Sequence, residues 1–119
     1  FPVPQQELRC LSLAQRVRGV PEIVESGETE RGTFMVMPVL WACLANVLQR
    51  LDHDGLGGRM SWEAAKSLGR MLVKTLQGIH AKGVVHCDVK PENVMLRRGA
   101  CVTPYLVDFG RARRTDPNL

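Results

Sequence analysis

The run His86-Cys87-Asp88-Val89-Lys90-Pro91-Glu92-Asn93, followed further on by Asp108-Phe109-Gly110, gathers side chains whose types and spacing suit chemistry. Asp88 offers a carboxylate that can take or orient a proton. Lys90, two positions along, falls on the same side of an extended loop and adds a positive charge. Asn93 and Asp108, fifteen residues apart, offer hard oxygens of the kind that hold Mg²⁺, a cation that keeps several waters and uses one or two protein carboxylates. The set suits a reaction in which negative charge spreads over an anion while a hydroxyl gives up its proton.

The pattern His86-x-Asp88-x-Lys90-Pro91-x-Asn93 with a later Asp108-Phe109-Gly110 resembles the catalytic loop and metal-binding loop of eukaryotic-type protein kinases. That resemblance implies an ATP- and Mg²⁺-dependent phosphoryl transfer. Asp88 and Lys90 would be the catalytic pair, with Lys90 also neutralising the transferring phosphate. Asn93 and Asp108 would be the metal ligands, Phe109 would pack inward, and Gly110 would let the backbone turn. His86 is the exception to a chemical role: in such kinases it is a structural member of the hydrophobic spine. Lys90-Pro91-Glu92 resembles the Ser/Thr class, since tyrosine kinases usually carry an Ala-Ala-Arg or Arg-Ala-Ala segment there.

Those residues need elements to hold them. The strongest helical pattern runs from Trp62 to Ala81, with Ser61 as N-cap, Glu63 in the first turn and Gly83 just past the end. Ala65, Leu68, Leu72, Leu76 and Ile79 form one apolar stripe along it. Short apolar runs at Val84-Val85, Val94-Leu96 and Tyr105-Val107 adjoin the chemical residues. Nearer the start, the spacing predicts a helix over Glu7 to Val17, ended by Gly19 and Pro21, and a further helix over Leu40 to Leu51. Extended segments at Glu22–Glu25 and Thr33–Val39 flank a hairpin loop, Ser26 to Gly32, and the second segment reads as a buried strand. The glycines of Asp52 to Gly58 lie between helices and read as a plain loop.

Carried along the chain, the resemblance makes Glu7 the partner of an ATP-binding lysine on a regulatory helix. It makes Met37 a gatekeeper and Pro38 and Leu40 the hinge groups that meet adenine, with Met95 beneath the purine. Pro38 lacks an N–H, but that hinge position is used through its carbonyl. The implied fold is α+β and kinase-like but truncated. Residues 1–37 would be a remnant of the β-rich N-lobe with one helix and two strands, residues 38–40 the hinge, and residues 41–119 the first part of the mainly helical C-lobe.

Two departures stand out. Cys87 occupies the place where many kinases have the Arg that meets an activation-loop phosphate; the dual-specificity, tyrosine-regulated-like kinases also carry His-Cys-Asp. The change argues against that switch and against Thr115 as its phosphosite. A Gly-rich loop, a Val-Ala-Ile-Lys lysine and an Ala-Pro-Glu segment do not occur between Phe1 and Leu119, and all three are expected beyond those ends.

Bulk properties bound the alternatives. The chain has 119 residues, 45% hydrophobic, 24% charged, with a net charge of +4. Four widely spaced cysteines form no CxxC pair, which fits an intracellular setting, cytoplasmic or nuclear. No apolar run approaches the roughly 20 residues of a membrane span. Five arginines, Arg97, Arg98, Arg111, Arg113 and Arg114, fall in the last quarter without interleaved aromatics, so they read as a solvated basic face or the surroundings of a phosphate-rich ligand rather than a nucleic-acid surface. A protein substrate is the expected partner. A pseudokinase scaffold and a small-molecule phosphotransferase are the alternatives; the retained Asp88, Lys90, Asn93 and Asp108 speak against the first, and Lys90-Pro91 with the full Asp-Phe-Gly against the second.

Overall fold

The computed structural model describes residues 3–52, 55 and 57–115. Helix α1 spans Gln5–Leu13, strands β1 Glu25–Thr29 and β2 Gly32–Val36, strand β3 Ala42–Cys43, helix α2 Leu44–Leu51 and helix α3 Trp62–Ala81. Strands β4 Val84–Val85, β5 Val94–Arg97, β6 Thr103–Leu106 and β7 Arg113–Arg114 follow. The result is an α+β arrangement of helices and small antiparallel sheets: β1-β2, β3-β5-β6 and β4-β7. No helix among the described residues is long and apolar enough to cross a membrane.

Helix α3 matches its sequence pattern end to end. Ser61 Oγ accepts the Ala64 N–H at 3.1 Å, and Gly83, at φ 76°, closes the other end by donating to the His80 carbonyl at 3.0 Å. Its stripe serves two cores. Ile79 and Leu76 join Cys10, Leu11, Ala14, Val20, Val84, Leu106, Phe109 and Ala112, while Leu68 and Leu72 pack on Leu44, Val94 and Leu96. Each large side chain removed from water in this way contributes about 1.5–3 kcal/mol.

Four local expectations are corrected. Helix α1 stops at Leu13 rather than Val17, because Arg16 takes a left-handed φ of 70° and Gln15 leaves the helix to staple the turn. The Gln15 amide donates to Leu11 and Pro21 carbonyls at 3.1 and 3.0 Å and accepts the Ile23 N–H at 2.9 Å. The expected hairpin loop is mostly strand: β1 begins at Glu25 and turns only at Glu30-Arg31, with Gly27 small enough to lie under the Phe34 ring. That polar strand carries no period-2 apolar signal, so only pairing reveals it. The second strand ends at Val36 and is mostly half-buried, with Thr33 buried and Val36 exposed; beyond it Val39 is 98% exposed. Finally, Ala42–Cys43 pairs with Met95 and Leu96 of β5 before α2 starts at Leu44, so the expected helix from Leu40 is shorter by four residues.

The α1–β1 connection is clamped onto the lower elements. The Thr75 hydroxyl donates to the Arg18 carbonyl at 2.8 Å, and the Leu106 N–H donates to the Gly19 carbonyl at 2.8 Å. Gly19, at φ 91°, admits no side chain there, since a Cβ would overlap the Thr75 hydroxyl.

Candidate active site

The chemical loop starts from β4, which pairs with β7 and delivers His86 into the core at 1% exposure. The Asp88 N–H donates to His86 Nδ1 at 3.1 Å, so the ring proton sits on Nε2, which donates to the Val107 carbonyl at 2.9 Å. The ring also meets Phe109 edge to face at 4.9 Å. Cys87 between them takes φ 68°, a left-handed conformation that costs on the order of 1 kcal/mol for an L side chain. These contacts hold it. His86 is thus a bracket between the two loops.

Asp88 is held from the other side. The Asn93 amide donates to the Asp88 main-chain oxygen and to Asp88 Oδ2, both at 2.9 Å, from a 3-10 turn over Pro91–Asn93. Lys90 Nζ stands 3.7 Å from Asp88 Oδ1, the lysine side chain being 47% exposed and the aspartate 17%. A contact that long and that wet is weak, so the ammonium can turn to an incoming anion. The Asn93 amide nitrogen is committed to Asp88, which leaves its Oδ1 free of a bond to that residue. The Asn93 carbonyl in turn accepts the Val107 N–H at 2.9 Å. Both main-chain groups of Val107 are therefore tied, one to Asn93 and one to His86, and Asp108 follows from a fixed point.

Asp108 is exposed and lies in the left-handed region at φ 59°. Gly110 stands in a turn as expected, the Ala112 N–H donating to the Phe109 carbonyl at 3.1 Å across Gly110 and Arg111. A Cβ on Gly110 would sit 2.9 Å from Asp108 Oδ1 and 3.9 Å from Glu7 Oε2, and the Gly110 N–H donates to Asp108 Oδ1 at 3.1 Å. Glu7 of α1 thus faces the Asp108 loop. Burial and then the Asp108 charge raise the Glu7 carboxyl above its ordinary value. Two carboxylates turned toward one space favour a cation between them. Among the described residues no group of three or more His, Cys, Asp or Glu could cage a metal.

The adenine-side candidates are placed differently. Met37 is 41% exposed beyond the end of β2, and Pro38 is exposed. Pro38 and Leu40 line a cavity of about 190 Å³ with Val20, Pro21 and Tyr105. Met95 lies half-buried on β5, between Cys43 of β3 and Tyr105 of β6. The Trp41 N–H donates to the Leu96 carbonyl at 2.9 Å, which docks the segment after Leu40 beside Met95.

A model of the family described as protein kinase domain matches residues 4–119. The chain belongs to that family. It is 36% identical over 104 residues to a probable casein kinase I homologue of Encephalitozoon cuniculi, covering 87% of this chain and 30% of that protein. It is 32% identical over 110 residues to a probable serine/threonine-protein kinase of Dictyostelium discoideum, covering 91% and 21%. With serine/threonine-protein kinase D of Synechocystis it shares 45% identity over 56 residues, covering 47% and 11%. The chain spans less than a third of the length of these relatives.

The sequence reading singled out the late arginines without placing them. Arg113 and Arg114 form β7, and Arg111 and Arg113 line an open cleft of about 730 Å³ with Gln6, Cys87 and Gly110, directly beside the catalytic loop. Two consecutive arginines carry no strand signal; only the pairing with Val84-Val85 places them. Arg97 and Arg98 are elsewhere, one donating to the Tyr105 hydroxyl at 3.2 Å and the other stacked 4.9 Å over Trp41.

Proposed function

We propose that this chain carries the catalytic loop of a protein Ser/Thr kinase that transfers the γ-phosphoryl of ATP to a protein hydroxyl. The observation that supports it is the Asp88 carboxylate, oriented through Oδ2 by Asn93 at 2.9 Å and left partly open to solvent beside Lys90. In this reading Asp88 accepts or orients the proton of the substrate hydroxyl, and Lys90 offsets the charge on the transferring phosphoryl. The Asn93 amide oxygen and the Asp108 carboxylate fit a hard cation that completes its shell with water and phosphate oxygens. Mg²⁺ so held would neutralise phosphate charge. Glu7 would orient a lysine from outside this chain toward the α- and β-phosphates. Residues 38–40 would act as the hinge, with Met37 and Met95 bordering the base.

The test is Asp88→Asn in the full-length protein, assayed with Mg²⁺-ATP and a generic protein substrate such as casein. The expected result is a kcat lower by about 10²-fold or more with nucleotide affinity nearly unchanged. Loss of ATP binding with turnover preserved would contradict the assignment.

A further inference from the structure

A cavity of about 480 Å³ lies on the side of the molecule formed by α3, the α1–β1 connection and the start of β6, and no residue given a chemical role above lines it. Its volume falls in the range of sites that take a ligand or a side-chain cluster of a partner, roughly 300–1,000 Å³. The floor is built, since the Thr75–Arg18 hydrogen bond and the close approach of Gly78 to Val17 set helix and loop in contact. Apolar surface comes from Val17, Met71, Ala81 and Pro104.

The charge around it has one sign. Arg18, Lys74 and Lys82 line the cavity, all three exposed, and no Asp or Glu is among its lining residues. An apolar trough bordered by unopposed cations complements an occupant that is both apolar and anionic. Lys74 lies on α3 and Lys82 caps the end of that helix about two turns on, about 12 Å by helical rise. One carboxylate cannot reach both. An extended chain covers that span in about four residues, at roughly 3.3 Å each.

We propose that this groove is a docking site for an extended acidic peptide segment of a partner protein, with apolar side chains in the trough and Asp or Glu side chains against Lys74, Lys82 and Arg18. The site goes beyond phosphoryl transfer and is independent of it: none of its residues belongs to the catalytic loop.

The test uses the full-length protein without nucleotide and a fluorescein-labelled peptide, Glu-Asp-Leu-Ala-Leu-Glu-Asp, followed by anisotropy. The expected result is saturable binding that weakens at least tenfold in Lys74→Glu/Lys82→Glu and at least tenfold again with salt raised from 0.05 to 0.5 M. Ala81→Trp, which fills the trough and keeps every charge, should also abolish it, and Asp88→Asn should leave it unchanged. Retention of the Asp88→Asn complex separates failure of the docking site from failure of the kinase reading. No saturable binding, equal binding of a peptide with Lys in place of its acidic residues, or equal affinity in the folded Lys74→Glu/Lys82→Glu variant would overturn the proposal. Displacement by dodecanoate at lower concentration than by unlabelled peptide would overturn it in favour of a lipid. Self-association lost in the same double variant would overturn it in favour of a second copy.

Discussion

The catalytic loop and the hinge-side segment of this kinase domain are built in opposite ways. Around Asp88 the loop is held by bonds from within the chain: His86 to Val107, Asn93 to Asp88, Val107 to Asn93. From Val36 to Val39 the chain is exposed, and its apolar residues meet little of the described structure. The difference teaches that positioning chemistry and bordering a ligand place different demands on the backbone. A proton acceptor needs its direction set before the substrate arrives. A wall for a flat base needs only apolar surface and a few main-chain groups.

The largest expected effect sits where the core of Ile79, Val84 and Leu106 takes in the loop. Phe109, 1% exposed, is the largest fully buried side chain, and Phe109→Ala should lower stability by about 3–5 kcal/mol. Equilibrium urea denaturation of the full-length protein would measure it, and a loss below about 1 kcal/mol would mean that the core does not rest on this ring.

His86→Phe comes next, because it keeps a ring against Phe109 while leaving the Asp88 N–H and the Val107 carbonyl without their partner. The expected cost is about 1–3 kcal/mol together with a fall in kcat at nearly constant KM for ATP. Unchanged kcat would show that the bracket does not position Asp88.

Glu7→Gln should act through pH. The folded state raises the Glu7 carboxyl, so ionised Glu7 is disfavoured in the folded protein relative to the unfolded chain. The penalty is absent below the ordinary value of about 4.3, grows as pH rises through the raised folded value, and is constant above it. Glu7→Gln should therefore raise Tm slightly at pH 7 and leave it unchanged at pH 4. A lower Tm at pH 7 would show that a cation from elsewhere in the protein already lies between Glu7 and Asp108.

The smallest effect belongs to the other region. Val39→Ser, at a side chain 98% exposed, should change stability by less than about 0.5 kcal/mol. A loss above 2 kcal/mol on thermal melting of the full-length protein would show that residues outside this chain cover the segment, and the contrast between the two regions would narrow.

The sequence alone determined the long helix and named the residues proposed for the chemistry. Ser61, Glu63 and Gly83 mark ends through local capping, and the stripe from Ala65 to Ile79 follows from helical geometry, so both are local properties. The types Asp88, Lys90, Asn93 and Asp108 follow from what phosphoryl transfer requires. Only the tertiary structure decided what holds them. Cys87 and Asp108 adopt left-handed backbones that neither side chain prefers, because hydrogen bonds across twenty-one residues, from His86 to Val107, override local preference. The polar strand β1 and the Arg113–Arg114 strand exist by pairing, not by pattern. Glu7 comes to face the turn at Gly110 although the two are far apart in sequence. Steric and hydrogen-bonded constraints between residues far apart in sequence leave no local trace, and they set the geometry on which the chemistry depends.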